Sequence, residues 1–184
     1  MLILASASPR RRELLAKTAL EFAVRPAAAE INPPETLPPR EYALQSALSK
    51  ARAVAAESVA EDVILGADTV VVAEGRIIGK PRDPDDARRI LRLLSGKAHE
   101  VCTGYAVIKG KTELTGCAVT RVFFRAITDE EINSYISTGE PMDKAGAYGI
   151  QGGGALFVER IEGDYFNVVG LPLCEIYQKL KKIM

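Results

Sequence analysis

A short stretch near the start of the chain combines a strand end, a helix start and three adjacent arginines. Residues 2–4 are an apolar run that predicts a buried strand, and a helical pattern begins by Leu14. Ser8 before Pro9 resembles an N-cap followed by proline at the first helical position. Backbone N–H groups and guanidinium groups would then point beyond the strand, which suits a phosphate. The arginines are Arg10, Arg11 and Arg12.

The alternative is that these arginines form a solvated first turn. Cations at a helix N-terminus oppose the helix dipole, so three of them are locally unfavourable there. A local rule broken without visible compensation marks a candidate functional site. The spacing therefore favours an anion site, with ordinary surface charge as the alternative.

Asp68 interrupts the strongest strand pattern of the chain, residues 62–73. An unpaired carboxylate is costly to desolvate in a buried strand. A metal, a lysine or a catalytic role would offset that cost. The alternative is an aspartate that caps a turn or bonds within a bulge.

Two lysines are further candidates. Lys50 lies midway along a predicted helix over residues 40–58, where a lysine is ordinarily solvated. Lys80 stands between Gly79 and Pro81, a rigid frame that could hold its ammonium group in place, although a basic turn is the usual interpretation.

Residues 139–154 are dense in glycine yet contain Asp143, Lys144 and Gln151. Glycines let a backbone approach a ligand closely, and an amide can donate to and accept from a base edge together. The alternative is a flexible linker, which the alternating apolar residues and fixed polar ones disfavour.

The remaining pattern predicts an α/β fold with a mixed, largely central sheet. A first helix over residues 11–20, with Ala19 facing inward, precedes a strand over 21–26 and a proline-rich irregular segment over 27–39. Later elements are expected as a hairpin at 74–78, a helix from Asp83 or Asp85 to Leu94, long β segments at 99–108 and 112–125, a helix capped by Thr128 and Glu131, a strand at 155–161 and a closing helix to 182.

Composition narrows the class of protein. The chain has 184 residues, 47% hydrophobic and 26% charged, with 24 basic and 24 acidic side chains, so nothing predicts binding to nucleic acid polymers or membranes. Three cysteines without a C-x-x-C pair fit reduced thiols. No signal peptide or membrane-length segment is predicted, so we expect a soluble cytoplasmic protein of one large domain or two small lobes. His99, the only histidine, is interpreted as structural.

Several common catalytic patterns are missing from the sequence. It contains no G-x-x-x-x-G-K-[ST], no Rossmann fingerprint, no H-E-x-x-H and no cysteine-based zinc pattern. Arginines after the first strand, the isolated Asp68, three lysines and acids at 30 and 143 remain. Cations for a polyphosphate and carboxylates for a hard metal ion and a water indicate a metal-assisted phosphoanhydride hydrolase.

With these residues assembled, the chain resembles the Maf family from its first strand to its last helix. The motifs that carry the resemblance are Ser6-x-Ser8-Pro9-Arg10-Arg11-x-Glu13-Leu14-Leu15, Gly66-Ala67-Asp68-Thr69, Gly79-Lys80-Pro81, Leu94-Ser95-Gly96, Asp143-Lys144-Ala145-Gly146-Ala147-Tyr148-Gly149-Ile150-Gln151-Gly152 and Val169-Gly170-Leu171-Pro172. The resemblance implies one domain over residues 1–184, with an inosine-triphosphatase-like fold, a mixed central sheet flanked by helices and a cleft between two lobes. It also implies a nucleoside triphosphate pyrophosphatase, often a homodimer, that uses Mg²⁺ or Mn²⁺.

The resemblance assigns roles by motif. Asp68 matches the proton acceptor and a metal ligand, and Lys50 and Lys80 match lysines that neutralise developing charge. Arg10 matches a specificity position, and Arg11 and Arg12 should face phosphates or support the loop. The remaining substrate-binding positions are Ser6, Ser8, Thr69, Lys144 and Gln151. In one departure, the usual run of acids after the second strand is reduced to Glu30, the nearest candidate for a second metal ligand.

Substrate choice is also inferred from the resemblance. Ala-Asp-Thr at 67–69 and Gly-Ile-Gln-Gly at 149–152 resemble the branch that acts on dTTP and UTP. Gln151 can match the acceptor and donor of the thymine or uracil edge. We therefore expect a dTTP/UTP pyrophosphatase, with modified pyrimidines as further candidates. The alternatives are a pyrophosphatase for 7-methyl-GTP or inosine triphosphate, and a nucleotide-binding regulator of cell division.

Overall fold

The computed structural model describes residues 1–28, 33–34 and 36–184. Short 3-10 helices span Glu140–Asp143, Ala145–Ala147 and Gly153–Phe157. The other helices and strands are, in chain order, β1 (Leu2–Leu4), α1 (Pro9–Ala16), β2 (Phe22–Val24), α2 (Pro39–Ala55), β3 (Val63–Ala73), β4 (Arg76–Ile78), α3 (Pro84–Leu94), β5 (Ala98–Lys109), β6 (Thr112–Phe124), α4 (Asp129–Ser137), β7 (Val158–Glu162), α5 (Tyr165–Val169) and α6 (Leu173–Ile183).

The described strands form one seven-stranded sheet in the order β2-β1-β3-β5-β6-β7, with β4 paired to β3. β1 runs parallel to β2 and β3, so that Leu4 lies opposite both Val24 and Leu65. β3 with β4 and β6 with β7 are antiparallel pairs. The predicted mixed α/β fold is confirmed. Because β1 and β2 are parallel, the residues that follow them, near 5 and 25, lie at the same edge of the sheet.

Local sequence signals predicted two helix starts correctly. The Asp83 carboxylate accepts from the Asp86 N–H at 2.7 Å and begins α3. Thr128 and Glu131 form the predicted capping box of α4. Each cap joins residues that are three positions apart in the sequence, so it does not depend on packing against distant elements.

The first helix is shorter than predicted, and the inward position expected for Ala19 is wrong. α1 ends at Ala16, the Thr18 hydroxyl donates to the Leu15 carbonyl, and Ala19 is exposed with φ of 57°. A left-handed residue cannot continue a right-handed helix. The helix predicted from residue 40 already begins at Pro39, where a proline fits the first turn.

The chain folds into two compact units. The first comprises Met1–Thr69, Thr103–Ala118 and Gly170–Met184. Part of its core consists of Ile3, Ala5, Ala51, Val54, Ile64, Ala106 and Ile108. The second comprises Val70–Cys102 and Val119–Val169, and its core includes Leu91, Val122, Phe124, Tyr148 and Phe157. In the described part of the chain, no helix is both long and apolar enough to cross a bilayer.

Candidate active site

Asp68 and Lys50 form an ion pair in the first unit. Lys50 Nζ lies 2.7 Å from Asp68 Oδ1, and the two side chains are only 10% and 17% exposed. The ordinary interpretation of Lys50 as a solvated helix residue is therefore wrong. Asp68 lies within β3 rather than capping a turn. The positive charge of Lys50 therefore compensates for the partial desolvation of the Asp68 carboxylate.

The packing of α2 on the sheet sets this geometry. Ala47 and Ala51 of α2 are fully buried and face Gly66 of β3, two residues before Asp68. Because small residues let the helix backbone approach the strand closely, Lys50 reaches Asp68 although its side chain is buried along most of its length. The ion pair thus depends on the close approach of two elements.

Arg11 is held by three oxygens of the first unit. Its Nε donates to the Gly170 carbonyl at 2.9 Å, Nη1 to Ser6 Oγ at 3.2 Å and Nη2 to Thr69 Oγ1 at 3.0 Å. Thr69 Oγ1 also lies 2.9 Å from Thr103 Oγ1. Of the two roles open to Arg11, these contacts favour support of the loop after β1, next to the residue that follows Asp68.

The start of α1 is as predicted in position but different in its contacts. Ser8 is the N-cap and Pro9 the first helical residue, yet the Ser8 hydroxyl makes no capping hydrogen bond. The Ser8 N–H instead donates to Ser6 Oγ at 3.3 Å. Arg10 is half-exposed and Arg12 exposed. The first turn therefore has no side-chain cap, which keeps it suited to an anion.

In the second unit, Glu140 organises the glycine-dense segment. Its Oε1 accepts from the Tyr135 hydroxyl at 2.8 Å, and its Oε2 accepts from the Gly153 N–H at 2.9 Å. Burial by itself would raise the pKa of Glu140, but the hydrogen bonds from Gly153 and Tyr135 and the charge of Lys144 outweigh it and lower the pKa. The segment is an ordered structure, not a flexible linker.

Three predicted site residues belong to this second unit. Lys144 Nζ donates to the Glu140 carbonyl at 2.8 Å and to Asp143 Oδ1 at 2.7 Å. Lys80 and Gln151 are exposed. The Gly79 carbonyl accepts from the Gly146 N–H at 3.1 Å, which joins the turn that carries Lys80 to the glycine-dense segment.

The sequence did not single out Glu140, Tyr135, Thr103 or the Gly170 carbonyl. For Glu140 a signal existed, because it is an acid between Gly139 and Pro141 at the head of a glycine-dense segment. Gly170 stands in the Val169-Gly170-Leu171-Pro172 motif, but its contact with Arg11 arises only through the fold. The same is true of the contact of Thr103 with Thr69, so no local pattern could identify either contact.

His99 takes a structural place in the second unit. It is 3% exposed, its Nε2 lies 2.8 Å from the Tyr148 hydroxyl, and its ring packs edge-on against Phe124 at 4.9 Å. Burial lowers the pKa of His99 to about 4. A neutral, enclosed imidazole agrees with the structural interpretation.

Comparison with known proteins identifies the family. The family model described as Maf-like protein matches residues 1–183. The chain belongs to the Maf family. A relative named dTTP/UTP pyrophosphatase from Moorella thermoacetica is 53% identical over 181 residues, which are 97% of this chain and 93% of the relative. Another of the same name, from Thermococcus gammatolerans, is 53% identical over 183 residues, covering 100% and 96%.

A solved structure of a HAM1 protein from Coxiella burnetii has a similar fold. It superposes with a TM-score of 0.51 and 15% identity, covering 98% of each chain. At that identity the likeness concerns the fold alone, and it confirms the fold type expected from the Maf resemblance.

The carboxylates of this Maf-family chain can be considered as ligands for a divalent metal. Asp68 offers a carboxylate whose Oδ1 is bonded to Lys50, and Glu30, the other expected ligand, lies outside the described residues. Among residues 1–28, 33–34 and 36–184, no three His, Cys, Asp or Glu side chains converge as a metal cluster. Asp68 supplies a carboxylate, the ligand type that Mg²⁺ and Mn²⁺ take in proteins.

Proposed function

We propose that this protein is a dTTP/UTP pyrophosphatase that releases the nucleoside monophosphate and pyrophosphate. The observation that carries the proposal is 53% identity, over nearly the whole chain, to relatives of that name. The Lys50–Asp68 ion pair adds physical support, because it places a carboxylate and a cation together at a partly exposed position of β3.

In the proposed reaction, a water oxygen bonds to the α-phosphorus while the bond from that phosphorus to the α–β bridging oxygen breaks. Asp68 takes the proton from the water, and pyrophosphate leaves with the bridging oxygen. Lys50 fixes the orientation of the carboxylate through its 2.7 Å contact. A bound divalent metal, for which Asp68 and Glu30 are the candidate ligands, would stabilise negative charge on the phosphate oxygens.

The family likeness supports the other roles in substrate binding. Arg10, Arg12 and Lys80 would counter the charge of the triphosphate, while Arg11 with Ser6 and Thr69 would hold the loop beside it. Gln151 would read the base, since an amide can meet the O4 acceptor and N3–H donor of uracil or thymine together.

The Maf family likeness also supports a homodimer, and three cysteines without a C-x-x-C pair favour a cytoplasmic location. Balanced charge, with 24 basic and 24 acidic side chains, favours a free nucleotide over a nucleic acid polymer as substrate. Light scattering on the purified protein would distinguish one chain from two.

The test is pyrophosphate release from dTTP, UTP, CTP, GTP, inosine triphosphate and 7-methyl-GTP, with Mg²⁺ or Mn²⁺ and with a chelator. We expect dTTP and UTP to be turned over fastest, and metal removal to abolish release. Asp68→Asn keeps the size of the side chain but is a far weaker base, so kcat should fall by about 10²–10⁴-fold.

Each other outcome has a definite meaning. Faster release from a purine nucleotide would overturn the pyrimidine assignment and keep the reaction. Full activity in Asp68→Asn would remove Asp68 as the proton acceptor. Nucleotide binding without any release would favour a regulatory protein.

A further inference from the structure

Two side chains hold both ends of the segment that carries Gln151. Tyr135 Oη accepts from the Gly149 N–H at 3.1 Å and donates to Glu140 Oε1 at 2.8 Å. Glu140 Oε2 accepts from the Gly153 N–H at 2.9 Å. Gln151 lies midway between Gly149 and Gly153, so the same pair of side chains anchors the backbone on either side of it.

The backbone at Gly149 and Gly152 lies very close to the side chains of Lys144 and Glu140. A Cβ added at Gly152 would lie 2.2 Å from Glu140 Oε1, and one added at Gly149 would lie 2.7 Å from Lys144 Cε. Real Cβ contacts are not this short, so any side chain at 152 would displace the carboxylate or the backbone. These glycines are therefore explained by close approach to Glu140 and Lys144.

The two carboxylate oxygens of Glu140 accept from Tyr135 and Gly153 at once. A glutamine can keep both contacts, because its oxygen accepts from the Gly153 N–H and its NH₂ group donates to the Tyr135 hydroxyl oxygen. Glu140→Met keeps the length of the side chain and removes both contacts, because a thioether is only a weak acceptor. The Gly153 N–H would then lack its acceptor, which favours a rearranged segment.

We propose that Glu140 is a positioning residue for base selection, acting through the backbone of residues 149–153 on the Gln151 amide. The proposal rests on the proposed pyrimidine nucleotide function. Because the carboxylate of Asp68 is held separately, by Lys50 of the first unit, loss of the Glu140 anchor changes binding and base choice more than the cleavage step.

The decisive experiment compares UTP with CTP in the wild-type chain and in Glu140→Met. Cytosine offers a donor and an acceptor in the reverse order to uracil, so discrimination between them reports on the placed amide. We expect KM for UTP to rise about tenfold, the UTP-to-CTP ratio of kcat/KM to fall about tenfold and kcat to change less than about threefold. Glu159→Met, at an exposed glutamate of β7 in the same unit, is the matched control and should behave as the wild type.

A second set of variants separates positioning from folding. Tyr135→Phe keeps the ring packed on Phe157 and should lower the same ratio. Gly152→Ala should reduce kcat/KM strongly in the wild-type background and less in Glu140→Ala, because the clashing carboxylate is then absent.

An unchanged KM and UTP-to-CTP ratio in Glu140→Met, with an active wild type, would overturn the inference alone. An equal fall in kcat for every nucleotide together with a lower Tm would assign Glu140 a folding role and also overturn it. A wild type inactive on dTTP and UTP would instead overturn the proposed function, and the inference with it.

Discussion

At the scale of single residues, the main feature is a charged pair within an otherwise apolar part of the first unit. Asp68 follows the buried strand residues Leu65 and Ala67, and Lys50 is itself 8% exposed. Both side chains are largely, though not fully, removed from bulk water, so each helps to stabilise the charge of the other. Charged groups at low exposure are costly to keep in a fold, so such a pair is a candidate for a functional role.

Replacing Lys50 with methionine should both destabilise the protein and lower kcat. The Asp68 carboxylate would lose its nearest cation, at a cost of roughly 3 kcal/mol in the free energy of unfolding. Adding Asp68→Asn to this variant should restore part of that loss, because no carboxylate is then left without its lysine. Urea unfolding of the wild type, both single variants and the double variant measures the coupling.

Arg52 provides the matched control on the same helix. It also forms an ion pair at 2.7 Å, with Glu113, but its side chain is 59% exposed. Exposed pairs contribute little, so Arg52→Met should change the unfolding free energy far less than Lys50→Met. Strictly additive effects of Lys50→Met and Asp68→Asn would show that the two residues are not coupled.

At the scale of elements, small residues on α2 and on the facing strands let the helix lie close to the sheet. An added Cβ at Gly66 of β3 would lie 2.4 Å from the Ala47 carbonyl oxygen, and one at Gly104 of β5 would lie 2.3 Å from the Ala43 carbonyl oxygen. Ala43, Ala47 and Ala51 recur every four residues and are fully buried. This close approach of backbones determines how far Lys50 must reach.

Gly66→Ala should therefore weaken the fold and the site together. The helix would have to move away from β3, at about 1–3 kcal/mol or more in unfolding free energy, and kcat should fall because Lys50 moves with it. Gly79→Ala is the control, since an added Cβ there meets nothing within 4 Å and stability should change by less than about 0.5 kcal/mol. A Gly66→Ala protein as stable and active as the wild type would contradict this account.

The same elements show how far sequence reasoning extends. Asp68 could be identified because a carboxylate in an apolar run breaks a strong local pattern, and the Thr128–Glu131 capping box because its partners are three residues apart. The pairing of Lys50 with Asp68 could not be identified from the sequence, since it depends on how close α2 lies to β3. The end of α1 was misplaced because helical spacing continued to residue 20 while the backbone at Ala19 turned left-handed.

At the scale of the whole molecule, the single histidine links folding to pH. His99 is enclosed by Phe124 and Tyr148, and its pKa is lowered to about 4 by burial, against about 6.5 for an unfolded histidine. Between these pH values the unfolded chain binds a proton that the folded protein does not. Stability is therefore complete above pH 6.5 and is lost progressively as the pH falls towards 4.

We expect the free energy of unfolding to fall by about 2 kcal/mol between pH 6.5 and 5, a slope of about 1.4 kcal/mol per pH unit. Carboxylates ordinarily titrate below this window and the α-amino group above it, so His99 should account for most of the slope. Urea unfolding at closely spaced pH values measures it. His99→Gln carries no titrating ring and should flatten the slope whatever its absolute stability, whereas an unchanged slope would show that other groups bind the proton.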